Sequence, residues 1–104
     1  MIHFKEGVKF EGVQPVLWDG LLTVAVVYHT CGYPLVVTSL TDGQHMEGSL
    51  HYVGKAADLR TRHLKVNDVP VVVRALKVAL GQGWDVVLEG DHIHIEFQPK
   101  PGAV

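Results

Sequence analysis

The stretch WDVVLEGDHIHIEF, residues 84–97, decides the fold that this sequence predicts. It contains two runs with strand-like alternation, Trp84–Glu89 and His92–Phe97, separated by Gly90 and Asp91. A glycine-first pair between two such runs is typical of a tight β-hairpin. One face of the second strand is then expected to carry Ile93, Ile95 and Phe97, and the other face His92, His94 and Glu96. The apolar face predicts a packed core, and the polar face places two imidazoles side by side.

The rest of the sequence predicts that residues 1–104 form one α+β domain, a small antiparallel sheet with two helices. Apolar residues recur at helical spacing over Pro15–Thr30, although the β-branched residues there leave a strand as the competing interpretation. A second helix is expected over residues 70–80, after a cap at Asn67 or Asp68. Further strands are expected over residues 33–39 and 56–60, with an extended lead-in over residues 1–13 and a loose tail over residues 98–104.

Composition narrows the classes of function. A formal net charge of -2 gives no reason to expect a nucleic-acid partner or an anionic membrane surface. Cys31 is the only cysteine, which excludes an internal disulfide and thiolate zinc sites, so any metal must use nitrogen and oxygen ligands. No apolar stretch is long enough to insert into a membrane, and residues 1–10 do not read as a signal peptide. We therefore expect synthesis in the cytoplasm.

A metal site is suggested by SLHYVGKAAD, residues 49–58. Asp58 follows His51 by seven positions, and Gly54 between them can adopt a positive φ and fold the chain back. The small side chain of Ala56, on the same strand face as Asp58, leaves room for an ion beside the carboxylate. With one histidine from another strand there would be three protein ligands, which is the arrangement of a catalytic zinc site with water in the fourth position.

The same ten residues resemble a known family. They match, position for position, the S-x-H-x-x-G-x-A-x-D motif of the M15 zinc D-Ala-D-Ala carboxypeptidases and endolysin peptidases, which share the hedgehog/DD-peptidase fold. The sequence HIH at residues 92–94 is similar to the H-x-H of murein endopeptidases and hedgehog domains in this group. The resemblance runs from about Gly7 to Phe97. It implies that His51, Asp58 and His94 bind zinc on one face of the sheet.

The third ligand has two interpretations. Other members of the family use E-x-x-H, with the glutamate as general base and the histidine as ligand, and Glu89 to His92 also fits that pattern. We favour His94 as the ligand, because a position inside a paired strand is rigid. His92 is then the catalytic base or a hydrogen-bond donor to the transition state, whereas in the other register Glu89 is the base and His92 the ligand.

Further residues are expected around the ion. Glu96 shares the strand face of His94 and could orient a ligand imidazole, and Ser49 could hold the turn before His51 by a backbone hydrogen bond. Arg60, with Arg62 nearby, is suited to a substrate carboxylate. Gln44 and His45, in the loop before the motif, are expected to line the substrate cleft. The simpler interpretation of Ser49 is a turn residue, and that of the others is a solvated surface residue.

The resemblance implies a zinc-dependent peptidase that hydrolyses peptidoglycan peptides containing D-amino acids through a zinc-activated water. Two departures from the family weaken it: residues 39–45, SLTDGQH, lack an arginine that many members carry there, and only nine residues separate Ser39 from Ser49. These departures favour the alternative, a non-catalytic zinc-binding module of the same fold in a larger assembly such as a phage particle. A cell-wall substrate would require release by phage lysis or delivery by a virion.

Overall fold

The computed structural model describes residues 1–43, 45 and 47–99. In this part of the chain, five strands and two α-helices form one α+β unit, the class that the sequence predicts. The elements are β1 (Ile2–Phe4), α1 (Pro15–Thr30), β2 (Leu35–Ser39), β3 (Ala56–Arg60), α2 (Val69–Leu80), β4 (Trp84–Glu89) and β5 (His92–Phe97). A short 3-10 helix at Val66–Asp68 precedes α2.

The sheet has the strand order β1-β2-β3-β5-β4. Strands β2, β3, β5 and β4 pair antiparallel, whereas β1 runs parallel to β2. The sheet is therefore mixed, and the expectation of an antiparallel sheet was wrong at this edge. The reason is the connection: α1 carries the chain back along the sheet, so the strand that follows the helix points the same way as the strand before it.

The hairpin at residues 84–97 forms as predicted, with Gly90 at a φ of 40° in the turn. On β5, Ile93 and Ile95 are fully buried on the core face. Both helices contribute to the same core, so they cover this face of the sheet. The core residues of the helices are Leu17, Leu21, Val24, Tyr28, Val72 and Leu76. The opposite face of the sheet carries Asp58 of β3 and His92, His94 and Glu96 of β5.

The helix interpretation of Pro15–Thr30 was right and the competing strand was wrong, because tertiary packing on one apolar stripe outweighs the β preference of the branched residues. In α1, Gly20 allows the indole of Trp84 to pack against the helix, since a Cβ at this position would overlap the ring. Helix α2 begins after Asp68, but the Asp68 side chain does not cap it. Its carboxylate accepts a hydrogen bond from the Tyr33 hydroxyl instead.

The lead-in contains strand β1 and two turns, and its aromatic residues Phe4 and Phe10 pack around Trp18 rather than in the core. Of the expected loose tail, residues 100–104 lie outside the described residues. Gln98 donates its backbone N–H to the carbonyl oxygen of Gly83, 2.9 Å away. Within the described ranges, neither helix has the length and apolar character needed to cross a membrane.

Candidate metal centre

The open face of the sheet brings Asp58 of β3 and His94 of β5 directly opposite each other. Asp58 Oδ1 lies 2.9 Å from His94 Nδ1. Both strands are interior strands of the sheet, because β3 lies between β2 and β5, and β5 lies between β3 and β4. Pairing on both sides fixes the two backbone positions, which is what a preorganised site requires.

His51 reaches the same point from the loop between β2 and β3. Only 2% of its surface is exposed. Its Nδ1–H donates a hydrogen bond to the backbone carbonyl oxygen of Leu40, 2.7 Å away, so Nε2 is the nitrogen that carries the lone pair. Nε2 lies 3.2 Å from Asp58 Oδ1 and 3.3 Å from His94 Nδ1. Metal-binding histidines are commonly oriented in this way, with the second ring nitrogen bound to a carbonyl oxygen.

Gly54 shapes the loop that carries His51. It has a φ of 75°, and a Cβ there would overlap the carbonyl oxygen of Gly12, so the position requires glycine on two counts. The Gln14 backbone N–H donates to the Gly54 carbonyl oxygen at 2.9 Å, which ties this turn to the segment before α1. Ser49 Oγ accepts a hydrogen bond from the backbone N–H of His51 at 3.2 Å. The loop is thus anchored on both sides of the imidazole.

The distances within the cluster fit a metal site. His51 Nε2, Asp58 Oδ1 and His94 Nδ1 are 2.9, 3.2 and 3.3 Å from one another. Ligand atoms held about 2.0–2.1 Å from one ion at tetrahedral angles lie about 3.3 Å apart. Three atoms that can each offer a lone pair do not approach so closely unless protons or a cation lie between them.

Asp58 and His94 shift each other's pKa. Burial would raise the pKa of Asp58, but its contacts with the imidazoles of His51 and His94 outweigh burial and hold that pKa well below its usual range. The hydrogen bond to Asp58 raises the pKa of His94 to about 9, against the opposing effect of burial and with the help of Glu96. In the metal-free protein His94 is therefore an imidazolium between two carboxylates.

Glu96 contacts the far side of the His94 ring. Its Oε1 accepts a hydrogen bond from His94 Nε2–H at 2.8 Å. This contact leaves Nδ1 as the nitrogen that faces Asp58 and His51. Glu96 lies on the same strand face, two residues after His94, and its side chain is 22% exposed, so the carboxylate is partly shielded from water.

His45 adds a third imidazole. Its ring stacks on that of His51, with centroids 3.8 Å apart and an interplanar angle of 3°. Ligand atoms of His45, His51 and Asp58 lie within 4.8 Å of one another, so these three residues could hold a metal ion. His45 Nε2 also lies 2.8 Å from the Asp42 carbonyl oxygen and 3.3 Å from Ser39 Oγ. The sequence had suggested only a cleft position for His45.

The donor set narrows the class of ion. Imidazole nitrogens with one carboxylate oxygen suit zinc and similar transition metals, whereas calcium and magnesium prefer an all-oxygen shell. No family model matches this chain, and no curated protein matches it. The chemistry of the site therefore follows from its own residues.

His92 and Glu89 lie beside the cluster. His92 Nδ1–H donates to Asp91 Oδ1 at 2.9 Å, and His92 Nε2 lies 3.7 Å from Asp58 Oδ1 and 3.8 Å from Glu89 Oε2. The His92 side chain is 29% exposed, twice the 14% of His94. Both histidines of HIH thus face Asp58. His94 Nδ1 is within hydrogen-bond distance of Asp58 Oδ1, whereas His92 Nε2 lies beyond it.

A cavity of about 660 Å³ opens over the cluster, with His45, Ser49, His51, Asp58, Glu89, His92, His94 and Glu96 among its lining residues. Arg60 lines a neighbouring cavity of about 390 Å³ rather than this one. Gln44, which we expected to contact substrate, lies outside the described residues. The structure thus gathers eight residues singled out from the sequence around one cavity.

Two contributors were not found from the sequence. One is the Leu40 carbonyl oxygen, which orients His51, and the other is the proximity of His45 to the ligand atoms. Neither has a spacing signal, because both depend on how the loop between β2 and β3 folds back on itself. The only signal for His45 was a histidine in a glycine-punctuated polar segment.

Proposed function

We propose that this protein is a zinc-dependent peptidase in which His51 Nε2, Asp58 Oδ1 and His94 Nδ1 bind one zinc ion. The observation that carries the proposal is the set of mutual distances, 2.9, 3.2 and 3.3 Å, which agrees with the spacing of about 3.3 Å between tetrahedral zinc ligands. His94 is preferred to His45 because it lies on an interior strand. Its second nitrogen is also bound to a carboxylate, as is usual for a metal-binding histidine.

A zinc ion held by these three residues would act as a Lewis acid and would lower the pKa of a bound water from 15.7 to about 7. The residues around the ion would transfer the proton of this water. His92 Nδ1–H is committed to Asp91, so Nε2 is the basic nitrogen, and it points toward Asp58 and Glu89. His92 is therefore our candidate for the general base that takes a proton from the attacking water and returns it to the leaving amine. Glu89 would hold the protonated ring.

The substrate class is proposed from the motifs. SLHYVGKAAD and HIH match the motifs of the M15 peptidases, and in this structure the matching residues converge on one point of the sheet. Peptidoglycan stem peptides, which contain D-amino acids, are the substrates that this resemblance suggests. An open cavity of about 660 Å³ over the ligands leaves room for a peptide to approach.

A second candidate function is a non-catalytic zinc-binding module. The observation in its favour is His45, whose ligand atom lies within 4.8 Å of those of His51 and Asp58. If His45 joined the other three ligands, the ion would have four protein ligands, which is the closed arrangement of structural zinc sites. Such a site would stabilise the loop between β2 and β3 and would leave no position for water.

Digestion of purified peptidoglycan by the zinc-loaded protein, followed by mass spectrometry of the muropeptides, tests the peptidase. The peptidase is supported if new peptide termini form with the parent and do not form with Asp58→Asn. With His92→Gln, the rate at which they form should fall at least about 100-fold. Full zinc occupancy without new termini would select the non-catalytic module. A parent protein that takes up no zinc would contradict both.

A further inference from the structure

Helix α1 is apolar around its whole circumference. Among its 16 residues, Asp19 is the only one that carries a full charge at neutral pH. Its core residues lie on the side toward the sheet. The side away from the sheet carries Leu22 and Val26, about one turn apart and 61% and 64% exposed. A surface helix normally presents polar residues on that side, so exposed apolar residues there are typical of a surface that binds a partner.

Helix α2 continues this exposed apolar surface. Val71 and Val78, about two turns apart, are 57% and 80% exposed, and they line an open groove of about 600 Å³ along the helix. The two helices pack side by side on the same face of the sheet, so their exposed sides form one surface. We refer to Leu22, Val26, Val71 and Val78 as the apolar helix face.

The charges on this surface are complementary. Asp19 is exposed on α1, three positions before Leu22. Arg74 is exposed on α2, between Val71 and Val78. In the part of the chain that the structure describes, neither Asp19 nor Arg74 takes part in an ion pair within 4.0 Å. A two-fold axis would bring the acidic helix of each copy onto the basic helix of the other, so the surface is self-complementary.

The relative direction of the helices determines how two copies would meet. Asp19 and Gly20 line a small cavity together with Ala79 and Leu80, so the start of α1 lies beside the end of α2 and the helices are antiparallel. A two-fold axis parallel to the helices would place α1 of one copy on α2 of the other at the same level. Arg74 lies about 7.5 Å before Ala79 along α2, a distance that a long arginine side chain can span to reach Asp19 of the partner subunit.

The size of the surface agrees with a weak dimer. Helix α1 has 16 residues and α2 has 12, which gives lengths of about 24 and 18 Å. Two such helices with their axes about 8–10 Å apart form a layer about 20 Å wide. Each copy would then bury roughly 400–500 Å², and the pair roughly 800–1,000 Å². This total is near the lower limit of about 1,000 Å² for a specific interface, so micromolar affinity is expected.

We propose that the apolar helix face is a dimer interface, in which α1 of each copy packs on α2 of the other. Leu22 and Val26 of one copy would occupy the groove between Val71 and Val78 of the other. The metal centre lies on the opposite face of the sheet, so both centres would stay open on the outer sides of the dimer. This inference does not depend on the proposed function.

Sedimentation velocity of the protein at concentrations from about 1 to 500 µM tests the interface, and we expect a reversible dimer with a Kd on the order of 10 µM. Val26→Glu and Val78→Glu should each raise the Kd at least about tenfold, because each would bury an unpaired carboxylate. Val87→Glu is the matched control. Val87 is also an exposed valine, but its cross-strand partner is His94, so it lies on the other face of the sheet. Circular dichroism verifies that each variant is folded.

Charge reversal tests the arrangement of the helices. Asp19→Arg and Arg74→Asp should each raise the Kd by about fivefold, since each places like charges opposite one another. The double variant Asp19→Arg/Arg74→Asp restores opposite charges and should return the Kd to within about threefold of the parent.

A protein that stays monomeric at every concentration would overturn the inference, including a monomer whose helices bind lipid vesicles or another protein instead. A dimer that persists unchanged in both Val26→Glu and Val78→Glu would also overturn it, because the interface would then lie elsewhere. A double charge-reversal variant that dimerises no better than the single variants would contradict the packing of α1 on α2 between copies.

Discussion

Asp58 and His94 face each other across the β3–β5 ladder, and this register pair places Asp58 Oδ1 2.9 Å from His94 Nδ1. The same register buries Ile93 and Ile95, the residues on either side of His94, in the core. A slip of one residue would turn His94 into the core and both isoleucines to the polar face. Hydrophobic burial therefore fixes the relative position of two proposed metal ligands.

Replacement of His94 by alanine should reduce zinc affinity by more than about 100-fold, because it removes a ligand rather than a supporting residue. His29→Ala is the matched control, since His29 is an exposed histidine at the end of α1. Competition with a fluorescent chelator at pH 7.5 measures both variants. Equal affinity of His94→Ala and the parent would remove His94 from the ligand set.

Replacement of Glu96 should weaken zinc binding less than replacement of His94, because Glu96 Oε1 only accepts a hydrogen bond from His94 Nε2–H. Glu96→Gln keeps the shape of the side chain but loses its charge, so zinc affinity should fall by about 10- to 100-fold. Asp85→Asn is the control. Asp85 is the cross-strand partner of Glu96 on β4, so this substitution removes an acidic charge from the same face. If the two variants weaken zinc binding equally, Glu96 acts only through the general field.

The raised pKa of His94 predicts how pH affects the metal-free protein. Its folded pKa is about 9 against an ordinary value of 6.5. Protonated His94 therefore stabilises the folded state, by on the order of 3 kcal/mol in the free energy of unfolding. This stabilisation is complete below pH 6.5 and is lost as the pH rises through 9. Urea denaturation in EDTA at pH 6, 8 and 10 should show this decrease.

The matched measurements use the zinc-loaded protein and metal-free His94→Gln. Both should lose less stability over this pH range, because His94 Nδ1 carries no proton in the first and the imidazole is absent from the second. Zinc affinity of the parent should rise with pH up to about 9, since the ion competes with a proton for Nδ1. Parallel stability curves for the metal-free parent and His94→Gln would exclude His94 as the titrating group.

Much of the fold followed from local pattern. Alternation and a glycine-first turn predicted β4 and β5 with their observed bounds, and the strand expected over residues 56–60 forms β3. These signals are strong because the period of the pattern, the turn chemistry and the burial all favour the same structure. The helical period of Pro15–Thr30 prevailed over its β-branched composition for the same reason, since only a helix buries its whole apolar stripe.

The remaining features depend on contacts between distant residues. Strand β1 has only three residues, too few for alternation to show, and its parallel pairing follows from the crossover through α1. The Asp68 carboxylate binds the Tyr33 hydroxyl, 35 positions away, instead of capping α2. The contact of His51 with the Leu40 carbonyl oxygen spans a loop whose shape no spacing rule describes. The motif identified candidate ligands, and the loop that orients one of them had to come from the structure.

Gly54 offers a test of how the loop supports the site. Gly54→Ala would place a Cβ on the Gly12 carbonyl oxygen at a φ of 75°, so it should destabilise the fold by about 3 kcal/mol or more and displace His51. Gly7→Ala is the matched control: Gly7 has a φ of 92°, but no atom lies within 4 Å of the added Cβ, and the expected cost is about 1 kcal/mol. Denaturation and zinc titration of the two variants measure the difference. Equal losses would mean that backbone strain alone, and not the contact with Gly12, acts at Gly54.

Anomalous diffraction at the zinc edge from crystals of the zinc-loaded protein identifies the ligands of the proposed zinc ion. We predict one peak about 2.0–2.2 Å from His51 Nε2, Asp58 Oδ1 and His94 Nδ1, with a non-protein ligand completing the tetrahedron. A peak bound by His45, His51 and Asp58 without His94, or no peak within bonding distance of these atoms, would contradict this ligand set.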